Sequence, residues 1–337
     1  MKIAIVKLSA MGDIIHAMTA LQYIKQERAD IHIDWIVEQG FADLLRGNPH
    51  IDHILPVNLK ALKKNKKQLI AEIKRVKSYA SHQYDLVIDA QGLIKSAVVS
   101  RMLGSSRGFD KRSTREGAAA LLYKESYAIP YEDNVIYRNV KLLFDALGLE
   151  FERKRLFDKE PFLYYDADEK QAIEPYITHT EKNIIYIIGS SWESKVYPKE
   201  KFVKLIELLG ANALIVWGDE KERSVAEYVA ANSRATMMPK LSLGRLKALI
   251  ASADLVIGGD SGPTHMAWAM NRASITLFGP TPSYRNTLTT KYNRVINSSS
   301  PVDPHKLNRE DYSIQEIEPS TIAQIAKELL QRVFYEE

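Results

Sequence analysis

Short runs of β-branched and aliphatic residues, each followed by a stretch of helical spacing, constrain this chain more than any other feature. In its first half "KIAIVKL", "IHIDWIV", "HILPV" and "YDLVIDA" are such runs. Strands that are apolar along their whole length, alternating with helices, imply a parallel α/β sheet covered on both faces. The run "DLVIDA" leads into "QGLIKSAVVSRMLG", where Gly92 opens a helix that stops near Gly104, and a later helix from about Asn134 to Leu147 is closed by Gly148. The texture then changes. Residues 149–176 are charged, hold two prolines and contain no strand run, so the connection between two domains is placed there. Alternation resumes with "NIIYIIGSS", "NALIVWGD", "ADLVIGGDSG" and "SITLFGPT". Residues 1–165 and 166–318 therefore form two α/β halves, and the final helix, 319–337, is available to pack back on the first half.

Composition excludes several chemistries. The 337 residues include no cysteine, which removes disulfides, zinc-thiolate sites and thiol nucleophiles. Eight histidines are scattered without HExxH spacing, so neither a metal site nor a cofactor is expected. No run of about 18 apolar residues exists and the first residues do not resemble a signal peptide, so a cytoplasmic location is expected. The net charge is only +4, yet Lys60 to Lys77 carries eight basic residues against one acid, Glu72. Leu62, Leu69, Ile70, Ile73 and Val76 are spaced to give part of it an apolar helical face. Either the lysines form a solvated helix face, or they attract an anionic lipid or phosphorylated surface.

The strand ends carry the chemistry. "SAMGDIIHAM" places Asp13 at a strand-to-helix corner, as a helix N-cap or as an ionised carboxylate available for general-base work. In "GGDSGPTHMAWAM" the backbone N–H groups of Ser261, Gly262, Thr264 and His265 stand at the positive end of a helix, where a phosphate is held without a cation. "GSSWESKVYP" adds the hydroxyls of Ser190 and Ser191 and the ammonium of Lys195, a plausible diphosphate clamp. "WGDEKER" adds Glu220 and Glu222, carboxylates able to accept ribose hydroxyls or simply to line a solvated turn. In open parallel sheets ligands bind outside the carboxyl ends of the strands. A nucleotide-diphosphate site explains these groups together. No GxGxxG follows any strand, which argues against a nicotinamide-dependent oxidoreductase; a non-catalytic membrane-surface module would leave the strand-end residues unexplained.

"KLSAMGDIIHAMTAL", "IDWIVEQGFADLL", "IDAQGLIKSAVVSRMLG", "GSSWESKVYP" and "GGDSGPTHMAWAM" together resemble the ADP-heptose:lipopolysaccharide heptosyltransferases of glycosyltransferase family 9, with the type I pattern the nearest. The resemblance implies a GT-B fold, two Rossmann-like α/β domains facing each other across a cleft, the first binding the acceptor and the second ADP-heptose. It implies an inverting, metal-independent transfer of L-glycero-D-manno-heptose to the first Kdo of Kdo2-lipid A, at the inner membrane and without nucleic acid. The alternative is a type II or III enzyme acting on a heptosylated core. By the same resemblance Asp13 is the catalytic base and Lys7 lies near the reacting groups. The donor site comprises Ser190, Ser191, Lys195, Glu220 as the ribose-binding glutamate with Glu222 as its alternative, Leu241, Asp260, Ser261, Gly262 and His265. Arg115, Lys95 and Arg138 face the acceptor. Pro263 departs from the small or aliphatic residue expected there, but suits a first helical turn.

Overall fold

The computed structural model describes residues 1–59 and 68–332. The chain divides into two compact units, Met1–Phe162 and Leu163–Glu337, so the division falls slightly before the expected 165/166. In the first unit β1 (Lys2–Val6), β2 (His32–Glu38), β3 (His53–Val57), β4 (Leu86–Asp89), β5 (Ser106–Phe109) and β6 (Glu125–Tyr127) form a parallel sheet in the order β3-β2-β1-β4-β5-β6. In the second, β7 (Asn183–Ile187), β8 (Asn212–Val216), β9 (Thr236–Met237), β10 (Leu255–Gly259), β11 (Ser274–Phe278) and β12 (Asn293–Asn297) run β12-β11-β10-β7-β8-β9. Counted from its own first strand and read from the other edge, the second order repeats the first. Both are the doubly wound Rossmann order, whose switch points lie between β1 and β4 and between β7 and β10.

Burial explains which strands were legible. Ile3 to Val6 of β1 are fully buried, as are Ile33, Trp35, Ile36 and Val37 of β2, and every residue of β7 and β10 is buried. Strands covered on both faces must be apolar throughout. By contrast β5 ("SRGF"), β6 ("ESY"), β9 and β12 are short and polar and lie at or next to sheet edges, so no apolar run announces them. The helix Met11–Glu27, buried from Ile14 to Ile24, packs against Val135–Leu147. That second helix starts where Asn134 Oδ1 accepts the backbone N–H of Ile136 at 3.0 Å and ends at Gly148, φ 69°, as its sequence predicts.

Two expectations need correction. The C-terminal helix Pro319–Arg332 belongs to the second unit. Its Ile322, Ala323, Ala326 and Leu329 join the core of that unit, and it packs on the helix Lys199–Leu209. Tyr197 and Lys201 donate to the Ile317 carbonyl just before it, at 2.8 and 3.1 Å, which pins the helix start to that same unit. The basic stretch also differs. Residues 60–67, with Leu62 and most of its lysines, lie outside the described residues; the helix Leu69–Tyr79 follows. It buries Glu72 and Val76, while Leu69, Ile70 and Ile73 are exposed. Glu72 takes an inward position because its carboxylate accepts the Asn58 N–H at 2.8 Å and pairs with Arg75 at 3.1 Å, so of the described residues of the expected apolar face only Val76 joins the core while Leu69, Ile70 and Ile73 meet solvent.

Candidate active site

At the first switch point the chain leaves β1 through Lys7, Leu8 and Ser9 and leaves β4 through Ala90 and Gln91. Gln91 Oε1 accepts both the Leu8 and the Ser9 N–H, at 3.0 and 3.1 Å. The buried Lys7 donates from Nζ to the Ala90 carbonyl at 2.7 Å and to Asn139 Oδ1 at 3.2 Å. The two loops are thereby tied together. Beneath them Asp89 is completely buried and accepts from Ser96 Oγ, Tyr123 OH and the N–H groups of Gln91 and Gly92. Burial pushes its carboxyl above the usual carboxylate range, against the pull of those donors.

The helix after β1 begins at Met11, earlier than "MGDI" suggests, so Asp13 is its third residue and not its cap. Half-buried, it reaches back to accept the Ala10 N–H at 3.1 Å. One carboxylate oxygen satisfies an orphan donor of the first turn.

On the expected acceptor side the residues separate. Glu116 Oε2 accepts the Ile94 N–H at 2.8 Å, which draws the segment carrying Arg115 to the start of the helix carrying Lys95; both cations are exposed. Arg138 is different. It is buried, donates to the Ser113 carbonyl and lies 4.8 Å from the Phe109 ring and 5.2 Å from the Tyr131 ring. Its surroundings make it a brace for the 109–131 region.

In the second unit Lys195 follows β7 and Asp260 follows β10. Lys195 Nζ donates to the Asp260 carbonyl at 2.6 Å and to its Oδ2 at 3.1 Å. His265 Nε2 lies 3.0 Å from Asp260 Oδ1, while Thr281 Oγ1 and Asn286 Nδ2 donate to Oδ2 at 2.8 and 3.1 Å. Burial alone would raise the Asp260 carboxyl, but the Lys195 ammonium and the His265 and Thr281 donors outweigh it and hold the group well below the usual range. Lys195, expected on a phosphate, therefore has its ammonium on a carboxylate, because a buried carboxylate without a charge partner would cost several kcal/mol. Gly259 allows this: a Cβ there would lie 2.8 Å from the Lys195 carbonyl.

Asp260 fixes the turn that launches the helix Gly262–Ala269, with Ser261 as its cap and Pro263 in its first turn. The first N–H groups of such a helix have no acceptor within it. Across the switch point, the Ser190 hydroxyl is buried without a hydrogen-bond partner among the described residues, while Ser191 is exposed. The two glutamates also separate. The Glu220 side chain is 76% exposed and pairs with Arg223. Glu222 is half-buried, accepts the Gly218 N–H at 2.6 Å, and lies so close to Gly189 that an added Cβ would stand 1.9 Å from its Oε1. Burial raises its carboxyl, opposed by that N–H. Leu241 is half-buried on a stretch tied to β8 by the Trp217 Nε1 bond to the Met238 carbonyl, 2.7 Å. Gln91, Asn139, Thr281 and Asn286 escape the motif search: each acts on a partner far away in sequence, and only the polar "AQG" after an apolar strand hints at Gln91.

The description of glycosyltransferase family 9 (heptosyltransferase) matches residues 73–313. Lipopolysaccharide heptosyltransferase 1 of Campylobacter coli is 38% identical over 98% of this chain and 99% of its own length; the protein of that name from Salmonella typhimurium is 30% identical over 83% and 89%. The E. coli heptosyltransferase WaaC solved with ADP superposes with a TM-score of 0.80 at 26% identity, covering 98% of this chain and all of that one. With two parallel-sheet α/β units of the GT-B class and a match along nearly its whole length, the chain belongs to glycosyltransferase family 9, the heptosyltransferases.

Proposed function

We propose that this enzyme adds the first heptose of the lipopolysaccharide inner core, transferring L-glycero-D-manno-heptose from ADP-heptose to the first Kdo residue of Kdo2-lipid A with inversion and without a metal. The main support is the β7/β10 switch point, where the Ser190 hydroxyl, without a hydrogen-bond partner among the described residues, and the start of the helix Gly262–Ala269 leave donors for a diphosphate. Relatives named heptosyltransferase 1 and a structure of WaaC with ADP-2-deoxy-2-fluoro heptose, 26% identical, point to the same donor.

In this scheme Glu222, held at Gly189, accepts the ribose hydroxyls and Glu220 stays in solvent. Lys195 and His265 act through Asp260, holding the turn whose N–H groups meet the phosphates. Asp13 takes the proton of the attacking Kdo hydroxyl as that oxygen bonds to the anomeric carbon and the bond to ADP breaks. Charge grows on the departing diphosphate, so donors already aimed at it stabilise the transition state more than the ground state. Lys7, locked to Ala90 and Asn139, holds its side chain at the loop that precedes the helix bearing Asp13.

The acceptor is part of a membrane. No helix of the described residues is long and apolar enough to cross one, but exposed Leu69, Ile70 and Ile73 lie on the same helix as Lys74, Arg75 and Lys77. Apolar side chains beside cations suit peripheral attachment to an anionic leaflet on the cytoplasmic side.

The test is ADP release from ADP-heptose and Kdo2-lipid A with EDTA present. Release that requires the acceptor and survives EDTA is expected. Release only with an already heptosylated acceptor would make this a type II or III enzyme, and release that stops with EDTA would overturn the metal-free chemistry.

A further inference from the structure

A second cluster of ionisable groups lies far from the strand ends just described. Asp34, on β2, is fully buried. The register places it opposite His53, the first residue of β3, and the turn Ala80–His82 that leads towards β4 brings in His82. His53 Nδ1 lies 2.8 Å from Asp34 Oδ1, and His82 Nδ1 lies 2.5 Å from Asp34 Oδ2. Each oxygen of one buried carboxylate thus faces one imidazole nitrogen, and the ligating atoms of all three residues lie within 4.8 Å of one another.

We propose that Asp34, His53 and His82 bind a divalent first-row transition metal of the Zn2+ class at the amino-terminal edge of the first sheet. Two imidazoles and a carboxylate are a donor set that suits zinc and its neighbours. The cluster is built, not incidental: three separate elements supply it, and Tyr84 OH donates to Asp34 Oδ2 at 2.9 Å, the outer hydrogen bond that orients a ligating carboxylate. The His53 side chain is 56% exposed and that of His82 26%, which leaves an entry path and room for a water ligand. In the metal-free protein each Nδ1 donates its hydrogen to Asp34; the metal takes that lone pair, and the hydrogen moves to Nε2 or to solvent. Lys2 Nζ, 3.8 Å from Asp34 Oδ2, opposes a second cation and swings outward when the metal enters.

Such an ion takes no part in transfer. It sits where the strands begin, whereas Lys7 and Asp13 follow their ends, so it acts by joining β2, β3 and the turn after the helix Leu69–Tyr79. This separates its fate from that of the transfer reaction.

Metal-stripped full-length protein would be titrated with ZnCl2 and with CoCl2, following heat, the visible ligand-field band of bound Co2+ and the melting temperature. One ion per chain, a Co2+ band and a raised melting temperature are expected. The double variant His53→Ala/His82→Ala should lose the band and bind roughly tenfold or more weakly. His32→Ala, which removes an imidazole paired with Asp52 at the same edge, should change neither, and Lys2→Met should tighten binding. Wild type and double variant titrating alike, or His32→Ala losing as much, would mean scattered surface binding and overturn the site. Asp34→Asn is a poorer test, because removing a buried carboxylate can unfold the unit. Transfer activity in EDTA should be unchanged, so failure of the metal site leaves the heptosyl reaction untouched.

Discussion

The two units share one strand order, yet they treat the carboxylate near the switch point in opposite ways. In the first, Asp13 is half-buried on the opening turn of a helix and accepts the Ala10 N–H. In the second, Asp260 is buried and surrounded by Lys195, His265, Thr281 and Asn286. A carboxylate with spare lone pairs near solvent can take up a proton, whereas one saturated by donors and a buried cation cannot without losing those contacts. Asp13 follows β1, the counterpart of β7, whereas Asp260 follows β10, the counterpart of β4, so the same topology puts a carboxylate with spare lone pairs on one side of its switch point in the first unit and a saturated one on the other side in the second.

The sharpest way to break that comparison is to neutralise each carboxylate. Asp13→Asn should lower turnover by about 10² to 10⁴, the usual worth of a general base, with ADP affinity in a calorimetric titration unchanged. A matching fall in ADP affinity would give Asp13 a donor-binding role and erase the contrast. Asp260→Asn should instead destabilise the second unit by about 3–5 kcal/mol, because Lys195 is left buried without its partner. Denaturant unfolding measures it, and a stable variant that merely lost activity would contradict the structural role.

Buried lysines extend the comparison. Lys195 rests on Asp260, but Lys159, in the first unit, is governed mainly by burial, which lowers it from 10.5 to about 7. Above pH 7 the folded protein has released a proton that the unfolded chain still holds, so this group makes stability rise with pH until about 10.5. Between pH 7 and 9 the rise should be on the order of 2 kcal/mol, and Lys159→Met should flatten it in chemical unfolding at each pH. The smallest effect distinguishes neighbouring acids. Glu222→Gln should weaken ADP-heptose binding by about 1.5 kcal/mol, the worth of a hydrogen bond to a charged group, and Glu220→Gln should leave it unchanged. The reverse order would move the ribose contact out to the solvated face.

Local periodicity and punctuation by themselves determined the buried strands, the helix from Asn134 to Gly148, the two α/β halves and the strand ends where "SAMGD", "GSSWESK" and "DSGPTH" stand. Those features depend on a few neighbouring residues, whose burial on both faces demands an unbroken apolar run. Only the tertiary structure decided that Lys195 spends its charge on Asp260, that Glu222 and not Glu220 packs on Gly189, that Arg138 is walled in by Phe109 and Tyr131, and that the C-terminal helix stays on the second unit. It also decided the meeting of Asp34 with His53 and His82, which strand register and a crossover bring together. Each of these pairings joins residues whose separation in the chain carries no periodic signal; the polar ones are fixed by the requirement that a buried charge or donor find its partner, and the C-terminal helix by the core that its apolar face completes.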